Sequence, residues 1–472
     1  RRSQQNQGSS QTMARPLMLS PNIWRRNANW HSIASKFACK EKPMKGDGEK
    51  FISAMDGRAA AMAAACTSCG DCVTACPMTS TGDDAPLLLG GLLDVLRSGG
   101  EDGEAAWVNL CTASGDCIPA CPEDLNPRFM QLAARMMLKR AEMGDDGSKK
   151  TGAAGYRNMS NSVRTLSRMQ LTPEELNRRG EGPGAMADQP DSSDFVFYIG
   201  CNVLRTPHIA LLCLDVLDAL ELKYRVMGGP SNCCGVQQVG PGDAGGTGKL
   251  AFNTIRSLSA GGTKQVLNWC PGCDKLMDDV TLPNYREATG EDTFGMSMFI
   301  TYLAERIDDL RPFLVHPVNK KVGLHEHAGA NAVSEAAKKI LQAIPGLEFV
   351  DLPVLQMALS CTNYVGRPAL RDSAHSDLLE AAKAAGVDTL AGVYHACHRD
   401  LCSHETDWPF ETVNMMELIG EAMGITRPDL FKRFKAMNDI DAIMAESAEM
   451  IALNGLDAAK VREGLVGGML DG

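Results

Sequence analysis

The sequence contains no long apolar segment. Among its 472 residues, no unbroken apolar run reaches the roughly 18 residues that a membrane-spanning helix needs. The longest apolar pieces, around residues 86–96 and 209–222, are interrupted by Gly, Asp or Glu. We therefore expect no membrane span, an expectation that leaves peripheral docking onto a membrane protein open.

An excess of positive charge and a nucleotide-binding fingerprint are also missing. The net charge of −11 argues against a nucleic-acid or anionic-membrane surface. No G-x-G-x-x-G run lies between a strand pattern and a helix pattern, and GGTGK at 245–249 lacks the spacing of a phosphate-binding loop. A flavin or a nicotinamide, if one is used, is therefore expected on a partner protein.

The amino-terminal residues lack the charged-then-apolar order of a secretory signal. We expect residues 1–50 to form an N-terminal extension, either a flexible tail or a segment that wraps a partner through Trp24 and Trp30. Cysteine, in contrast, is abundant, and its 17 copies are clustered along the chain. Such clustering suits metal-binding thiolates in a reducing compartment, which predicts a cytoplasmic protein.

The chain divides into a helical part and an α/β part. A helix is predicted to start at Pro127 and to end before Gly144. From residue 194 onward, strand-like runs such as DFVFYIG, KYRVMGG and QVLNW alternate with helix patterns, which predicts parallel sheets covered on both faces. The alternation occurs twice, which indicates an internal duplication. We expect a helical domain at 51–142, a linker with one short helix at 143–193, repeats at 194–310 and 318–425, and a helical tail at 426–472.

Two cysteine motifs in the helical part are nearly identical. Residues 66–77 read CTSCGDCVTACP, and residues 111–122 read CTASGDCIPACP. The first follows C-x2-C-x2-C-x3-C-P, in which three close thiolates bind one iron–sulfur cluster and the fourth binds the other. Zinc usually takes two spaced ligand pairs, so the repeated motif favours iron–sulfur clusters. The predicted ligands are Cys66, Cys69, Cys72 and Cys121 for one cluster, and Cys111, Cys117 and Cys76 for the other.

The second motif has Ser114 where the first has Cys69. A hydroxyl is a poor iron ligand, and three thiolates fit a [3Fe–4S] cluster. A second [4Fe–4S] cluster completed by Ser114, Asp116 or water is the alternative. The C-x5-C-x3-C-P spacing resembles the three-iron motif of the iron–sulfur subunits of succinate dehydrogenase and fumarate reductase.

Five more cysteines follow the predicted strands of the first repeat. Ligands just beyond the carboxyl ends of parallel strands meet at one sheet edge. Five thiolates exceed the needs of one zinc ion, and simple burial does not explain an adjacent pair together with a C-x2-C motif. The five residues are Cys201, Cys233, Cys234, Cys270 and Cys273.

This spacing resembles the CCG domain of heterodisulfide reductase catalytic subunits and their relatives, among them the iron–sulfur subunit of glycolate oxidase. The resemblance extends over about residues 51–425. It implies a helical two-cluster ferredoxin-like domain followed by a duplicated α/β CCG domain. It also implies that the five cysteines bind a non-cubane [4Fe–4S] cluster, which in the disulfide reductases performs the catalytic chemistry.

The second repeat departs from the CCG pattern. His327 replaces the first cysteine, Cys361 is followed by threonine, and Cys397 is followed three residues later by Asp400. A mixed Cys and His set suits zinc. We therefore predict a metal site, with a metal-free structural remnant as the alternative. Its candidate ligands are His327, Cys361, Cys397 and Cys402, with His395 or His398 in reserve.

Two functional hypotheses follow from the resemblance. In the first, the chain is an electron-transfer subunit of a multi-subunit oxidoreductase that relays electrons between a flavin dehydrogenase or reductase partner and the CCG cluster. In the second, the chain is a catalytic subunit that reduces or forms a disulfide at that cluster. Both predict a hetero-oligomer; a zinc-bearing scaffold without redox activity is a third interpretation.

Overall fold

The computed structural model describes residues 46–79, 84–101, 106–180, 193–465 and 469. Most of the predicted N-terminal extension, including Trp24, Trp30 and Cys39, lies outside the described residues. Within the described ranges, no helix combines the length and the apolar character needed to cross a membrane.

The first part of the chain is helical, as predicted. Gly70 adopts a positive φ of 87° directly before the second helix, a conformation that glycine tolerates and that lets the chain turn sharply between two cysteines. The helices are α1 (Asp47–Ala65), α2 (Asp71–Thr74), α3 (Ala85–Ser98), α4 (Ala106–Leu110) and α5 (Pro127–Gln170).

Helix α5 is longer than the sequence predicted. It starts at Pro127, where the Asn126 side chain accepts a hydrogen bond from the Phe129 N–H at 2.9 Å. It breaks at Gly144, which has non-helical angles, and then resumes as far as Gln170. Most of the described part of the predicted linker is therefore helix, and residues 181–192 lie outside the described residues.

Packing explains this difference. The resumed part of α5 buries apolar side chains three or four residues apart, which form one face of a helix. Burial of that face outweighs the local Gly and Ser content, because tertiary packing supplies most helical stability. The short predicted helix is present as α6 (Pro173–Arg178), and Thr172 and Glu175 form its capping box.

The first α/β repeat contains a four-stranded parallel sheet in the order β2-β1-β3-β4. Strand β1 is buried along its whole length, as expected for an inner strand covered on both faces. The sequence did not predict β4, whose segment GMSM lacks the β-branched residues that mark strands. The strands are β1 (Phe195–Gly200), β2 (Tyr224–Gly228), β3 (Gln265–Asn268) and β4 (Gly295–Met298). The helices are α7 (Pro207–Ala219), α8 (Val236–Val239), α9 (Ala244–Ser259), α10 (Pro271–Leu276), α11 (Leu282–Thr289), α12 (Phe299–Glu305) and α13 (Ile307–Leu310).

The second repeat has the same sheet topology. Its four parallel strands are ordered β6-β5-β7-β8, which matches the first sheet position by position. The prediction of two successive parallel sheets is therefore confirmed. The strands are β5 (Lys321–His325), β6 (Glu348–Val350), β7 (Thr389–Gly392) and β8 (Glu411–Asn414). The helices are α14 (Asn331–Leu341), α15 (Pro368–Ala385), α16 (His395–Leu401) and α17 (Met415–Met423).

Two hydrophobic cores connect these parts. One joins Phe197 of the first sheet to Leu324 and Leu390 of the second. The other joins Phe51 and Phe129 of the helical part to the helices of the first repeat. The tail is helical as predicted and forms α18 (Leu430–Met437), α19 (Ile440–Glu446), α20 (Ala448–Leu453) and α21 (Ala458–Leu465).

Candidate metal centres

Four cysteines of the helical part line one cavity, which Leu89, Pro127 and Met130 help to close. Burial, reinforced by the neighbouring sulfurs, raises the pKa of the Cys72 thiol to about 12. Without a cation the Cys72 sulfur would therefore stay protonated, whereas bound iron would stabilise its thiolate form. We call these residues the first group: Cys66, Cys69, Cys72 and Cys121.

Three other cysteines of the helical part also come together. Burial raises the pKa of Cys117 to about 12, and the nearby sulfurs of Cys111, Cys72 and Cys76 add to the rise. We call Cys76, Cys111 and Cys117 the second group. Cys72 belongs to the first group, and its sulfur is close enough to Cys117 to raise the pKa of that thiol. The first and second groups are therefore neighbours.

The loop with Ser114 packs against the second repeat. Ser114 is buried, and its carbonyl oxygen packs against Gly329. The contact is so close that a Cβ at position 329 would collide with this oxygen. Thr112 donates from its hydroxyl to the Met357 carbonyl and accepts at its own carbonyl from the Leu359 N–H. This packing covers the loop between Cys111 and Cys117, while Cys76 and Cys111 stay half-buried.

A buried ion pair connects the second group to the first repeat. The Arg128 guanidinium, near Cys117, donates from Nε to Asp279 Oδ2 at 2.6 Å and from Nη2 to Oδ1 at 3.1 Å. Asp279 lies in the turn of π-helix Met277–Thr281, directly after α10, which carries Cys273. The pair therefore fixes the helical part against a helix that supplies a candidate ligand.

Five cysteines converge at the carboxyl edge of the first sheet, and we call them the third group. Cys201 follows β1, Cys233 and Cys234 follow β2, and Cys270 and Cys273 follow β3. Because these strands are parallel neighbours, their ends meet. The Cys273 and Cys234 sulfurs lie 3.3 Å apart.

The third group is a closely coupled set of thiols. Hydrogen bonds from Cys201 and Cys234 lower the pKa of Cys233, and a hydrogen bond from Cys273 lowers that of Cys270. The Gly235 N–H donates to the Cys233 sulfur at 3.4 Å. None of the sixteen cysteines in the described part of the chain forms a disulfide. A closely packed set of free cysteines is a suitable donor set for an iron–sulfur cluster.

The second repeat brings two histidines and two cysteines together at the equivalent edge, a set that we call the mixed group. His325 Nε2 lies 3.4 Å from Cys361 Sγ, and His327 Nε2 lies 3.3 Å from Cys397 Sγ. The Cys361 N–H donates to Cys397 Sγ at 3.3 Å. Two thiolates with two imidazoles form a donor set typical of zinc.

Three predicted ligands of this site lie elsewhere. The Cys402 thiol donates to the Arg399 carbonyl at 3.7 Å and packs in the core of the tail. His398, one residue after Cys397, points to the opposite side of α16, where its Nε2 lies 2.6 Å from Asp429 Oδ2. His395 hydrogen-bonds Cys270 of the third group. The positions of His395 and His398 on α16 direct these two side chains away from that of Cys397.

Sequence reasoning missed His325 and His375. His325 and His327 are two residues apart at a strand end, and residues with this spacing point to the same face of a strand. The sequence pattern could therefore have indicated both histidines. His375 lies on α15, with ligating atoms of Cys361 and Asp400 within 4.8 Å of its own. No spacing rule connects a mid-helix histidine to those residues, and only the fold brings them together.

Helix α16 borders both repeats. His395 and Arg399 are one turn apart on it and approach the third group, whereas Cys397 belongs to the mixed group. Arg399 Nη1 donates to the Asn202 carbonyl, next to Cys201, at 3.2 Å. The second repeat therefore places an imidazole and a cation beside the cysteines of the first.

Parts of the chain are similar to known proteins. Residues 195–278 match the family model of the CCG cysteine-rich domain. The chain is 25% identical over 250 residues to one subunit of the dihydromethanophenazine:CoB–CoM heterodisulfide reductase from Methanosarcina mazei, and equally so to its counterpart from Methanosarcina barkeri. It is 26% identical over 260 residues to one subunit of the CoM/CoB fumarate reductase of Methanothermobacter marburgensis.

These matches are partial. They cover 50% of this chain and 60% of each heterodisulfide reductase chain, and 53% of this chain and 51% of the fumarate reductase chain. The relatives are oxidoreductase subunits by name. Residues 195–278 therefore carry a CCG cysteine-rich domain, in a chain that is similar to the heterodisulfide reductase chains of Methanosarcina.

Proposed function

We propose that the chain is an iron–sulfur electron-transfer subunit of a multi-subunit oxidoreductase. The observation that carries the proposal is the arrangement of twelve cysteines into three groups that follow one another through the structure. The first and second groups are neighbours, and Arg128 and Asp279 connect the second to the third. Electrons enter or leave through a flavin dehydrogenase or reductase partner in the cytoplasm.

The three groups would hold different clusters. The first group supplies four thiolates for a [4Fe–4S] cluster, and the second supplies three for a [3Fe–4S] cluster, with a second [4Fe–4S] cluster as the alternative. The third group would hold the non-cubane [4Fe–4S] cluster of CCG domains. Bound, these clusters supply one-electron carriers, while the protein orients the thiolates and excludes water.

The residues around the third group suit this role. Tyr198 is fully buried beside Cys273, and its hydroxyl donates to the Asn232 carbonyl at 2.7 Å. Gly200 lies so close that a Cβ there would be 3.2 Å from Cys270 Cβ and 3.4 Å from Cys273 Sγ. The end of β1 thus approaches the thiolates closely, and the aromatic ring keeps water out.

Disulfide chemistry at the third group is the second candidate function. The intact set of five cysteines and the similarity to heterodisulfide reductase chains favour it. In that reaction the S–S bond of a substrate breaks, two electrons arrive one at a time, and two protons complete two thiols. The reverse reaction forms the disulfide and returns the electrons.

We further propose that the mixed group binds zinc through His325, His327, Cys361 and Cys397. A closed set of two imidazoles and two thiolates is the pattern of a structural zinc site. Zinc does not change oxidation state, so the second repeat would carry no electron.

The test uses anaerobically purified protein with its clusters intact. We expect about eleven irons per chain, as the sum of a three-iron and two four-iron clusters, and full reduction by a flavoprotein donor. Cys273→Ser should remove only the signals of the third cluster. Cys213→Ser, a buried cysteine of α7 outside all three groups, is the matched control and should change nothing.

Two results would decide between the candidate functions. A disulfide that perturbs the paramagnetic spectrum of the oxidised third cluster favours catalysis, whereas reduction by a flavoprotein without any response to thiols or disulfides favours electron transfer. A folded preparation that contains no iron contradicts both.

A further inference from the structure

Four side chains outside the cysteine sites converge between the two repeats. They come from four separate places in the fold: the start of α7, the middle of α16, the first turn of α17 and the residue that caps α18. Their ligating atoms all lie within 4.8 Å of one another. We call His208, His398, Glu417 and Asp429 the histidine–carboxylate group.

The group is buried, and its imidazoles are poorly satisfied. His208 is 2% exposed and His398 1%. Neither ring nitrogen of His208 has a hydrogen-bond partner, and Nδ1 of His398 has none. His208 Nε2 lies 3.6 Å from Glu417 Oε1, and Nδ1 lies 3.5 Å from Asp429 Oδ1. Buried polar atoms normally form hydrogen bonds, so three ring nitrogens at one place with only long ion-pair contacts or none require an explanation.

The carboxylates are already held in position. The Glu417 carboxylate accepts the Asn414 N–H at 2.7 Å, and Asp429 Oδ1 accepts the Lys432 N–H at 3.0 Å. The Lys432 ammonium donates to Glu405 at 2.9 Å and to the Thr412 carbonyl at 3.2 Å. Two oriented carboxylates and two imidazoles are therefore present before any cation binds.

We propose that the histidine–carboxylate group binds one divalent transition-metal cation, of the zinc or iron(II) class, that joins the two repeats. Imidazole nitrogens and carboxylate oxygens bind such cations at about 2.0–2.2 Å, and ligand atoms about 3.5 Å apart are close to the spacing of a tetrahedral shell. One nitrogen of His208 binds the cation while the other donates to the carboxylate that it faces, the usual arrangement of a metal-bound histidine.

Binding of the cation replaces the proton shared by His398 Nε2 and Asp429 Oδ2, which are 2.6 Å apart without it. Any proton on a nitrogen or oxygen that binds the cation must move away as the cation enters, because the ligand atoms bind in their deprotonated forms. The site contains no sulfur, so the bound ion differs spectroscopically from iron in the cysteine groups and from zinc in the mixed group. The proposal is independent of the proposed electron-transfer function.

The first experiment measures metal content after equilibration of the full chain, clusters intact, with Zn²⁺ and removal of free ions. We expect His208→Gln and Asp429→Asn each to lose about one zinc per chain. His316→Gln, an exposed histidine, is the matched control and should keep the wild-type content. Equal zinc in His208→Gln and His316→Gln, with both folded, overturns the proposal and leaves an imidazolium–carboxylate network.

A second measurement needs no variant. Wild-type crystals equilibrated with Zn²⁺ and measured on both sides of the zinc absorption edge should show an anomalous peak among the four side chains. Absence of the peak overturns the proposal even where the variants fail to fold.

Discussion

Asp215 is the residue on which two arginines from distant parts of the chain converge. Its Oδ1 accepts from Arg178 at 2.7 Å, and both carboxylate oxygens accept from Arg427 at 2.8 and 2.9 Å. Burial alone would raise the pKa of Asp215, but hydrogen bonds from Arg427 and Arg178 outweigh burial and lower the pKa below its ordinary value of 3.8. The ionised carboxylate therefore fixes α6 and the tail to α7.

We expect Asp215→Asn to lower the free energy of unfolding by about 1.5–3 kcal/mol at neutral pH, the range for hydrogen bonds to charged groups. Because the folded pKa is depressed, this contribution is complete above about pH 4 and is lost as the pH falls through the folded pKa. Denaturant unfolding at pH 7 and at progressively lower pH measures it. A difference between wild type and variant that grows on acidification would contradict this assignment.

Under the proposed function, Ser114 sets how many irons the second group would hold. It is the residue at the position of the missing thiolate, and it is buried. We expect Ser114→Cys to convert a three-iron cluster into a four-iron cluster, which raises the iron content from about eleven to about twelve per chain. The oxidised three-iron cluster is paramagnetic, so its resonance should disappear.

Ser114→Ala is the control for this change. It removes the hydroxyl without adding a thiol, and the iron content and the resonance should both stay as in the wild type. Loss of one iron in Ser114→Ala would instead show that the hydroxyl is itself a ligand of a four-iron cluster.

The sequence predicted the cysteine groups better than their surroundings. Short ligand spacings and strand ends are local signals, and they indicated all the cysteines that the structure brings together in the first repeat. Arg128 and Asp279, in contrast, are 151 positions apart and meet only through the packing of α5 against the first repeat. No local pattern contains that contact.

Among the secondary-structure elements, α16 is the helix that contacts the largest number of candidate sites. Its residues contact the third group on one side, the mixed group on another and Asp429 on a third. Burial lowers the pKa of the Arg399 guanidinium. The nearby sulfurs of Cys270, Cys397 and Cys201 raise this pKa and so partly offset the effect of burial. A cation close to a reducible cluster stabilises the reduced, more negative form.

We expect Arg399→Gln to lower the reduction potential of the third cluster without loss of iron. Redox titration followed by electron paramagnetic resonance measures the change. Arg433→Gln removes an exposed arginine that pairs with Glu446 in the tail, and it should leave the potential unchanged. The same potential in Arg399→Gln and in the wild type would show that this guanidinium has only a structural role.

The sequence pattern wrongly predicted a linker for the second half of α5. Its first half has strong helix formers and a clear start, whereas residues 145–155 contain four Gly or Ser positions. Intrinsic propensity therefore predicted a linker. The deciding factor is the burial of Met159, Val163 and Leu166, which depends on partners far away in the chain.

For the whole molecule, the contact between the helical part and the second repeat is the least predictable feature. Gly329 has a φ of +64°, and a Cβ there would collide with the Ser114 carbonyl oxygen. Arg367 donates to the Asn109 carbonyl in the same interface. The second repeat therefore covers the loop that carries the altered ligand position.

Gly329→Ala should destabilise the protein more than Gly366→Ala. Both glycines have a positive φ, so both substitutions cost about 1 kcal/mol of backbone strain. Only Gly329 faces backbone, whereas nothing lies within 4 Å of a Cβ at Gly366, so overpacking adds about 1–3 kcal/mol at Gly329 alone. Thermal unfolding of the two variants measures the difference, and equal melting temperatures would argue against this tight interface.

The position of α16 has a consequence for any attempt to divide the chain. A fragment that stops after the first sheet would retain every thiol of the third group but would lose His395 and Arg399, which border Cys270 and Cys201. Dioxygen and water would then reach sulfurs that the intact fold shields. We therefore expect the second repeat to shield the cysteines of the first.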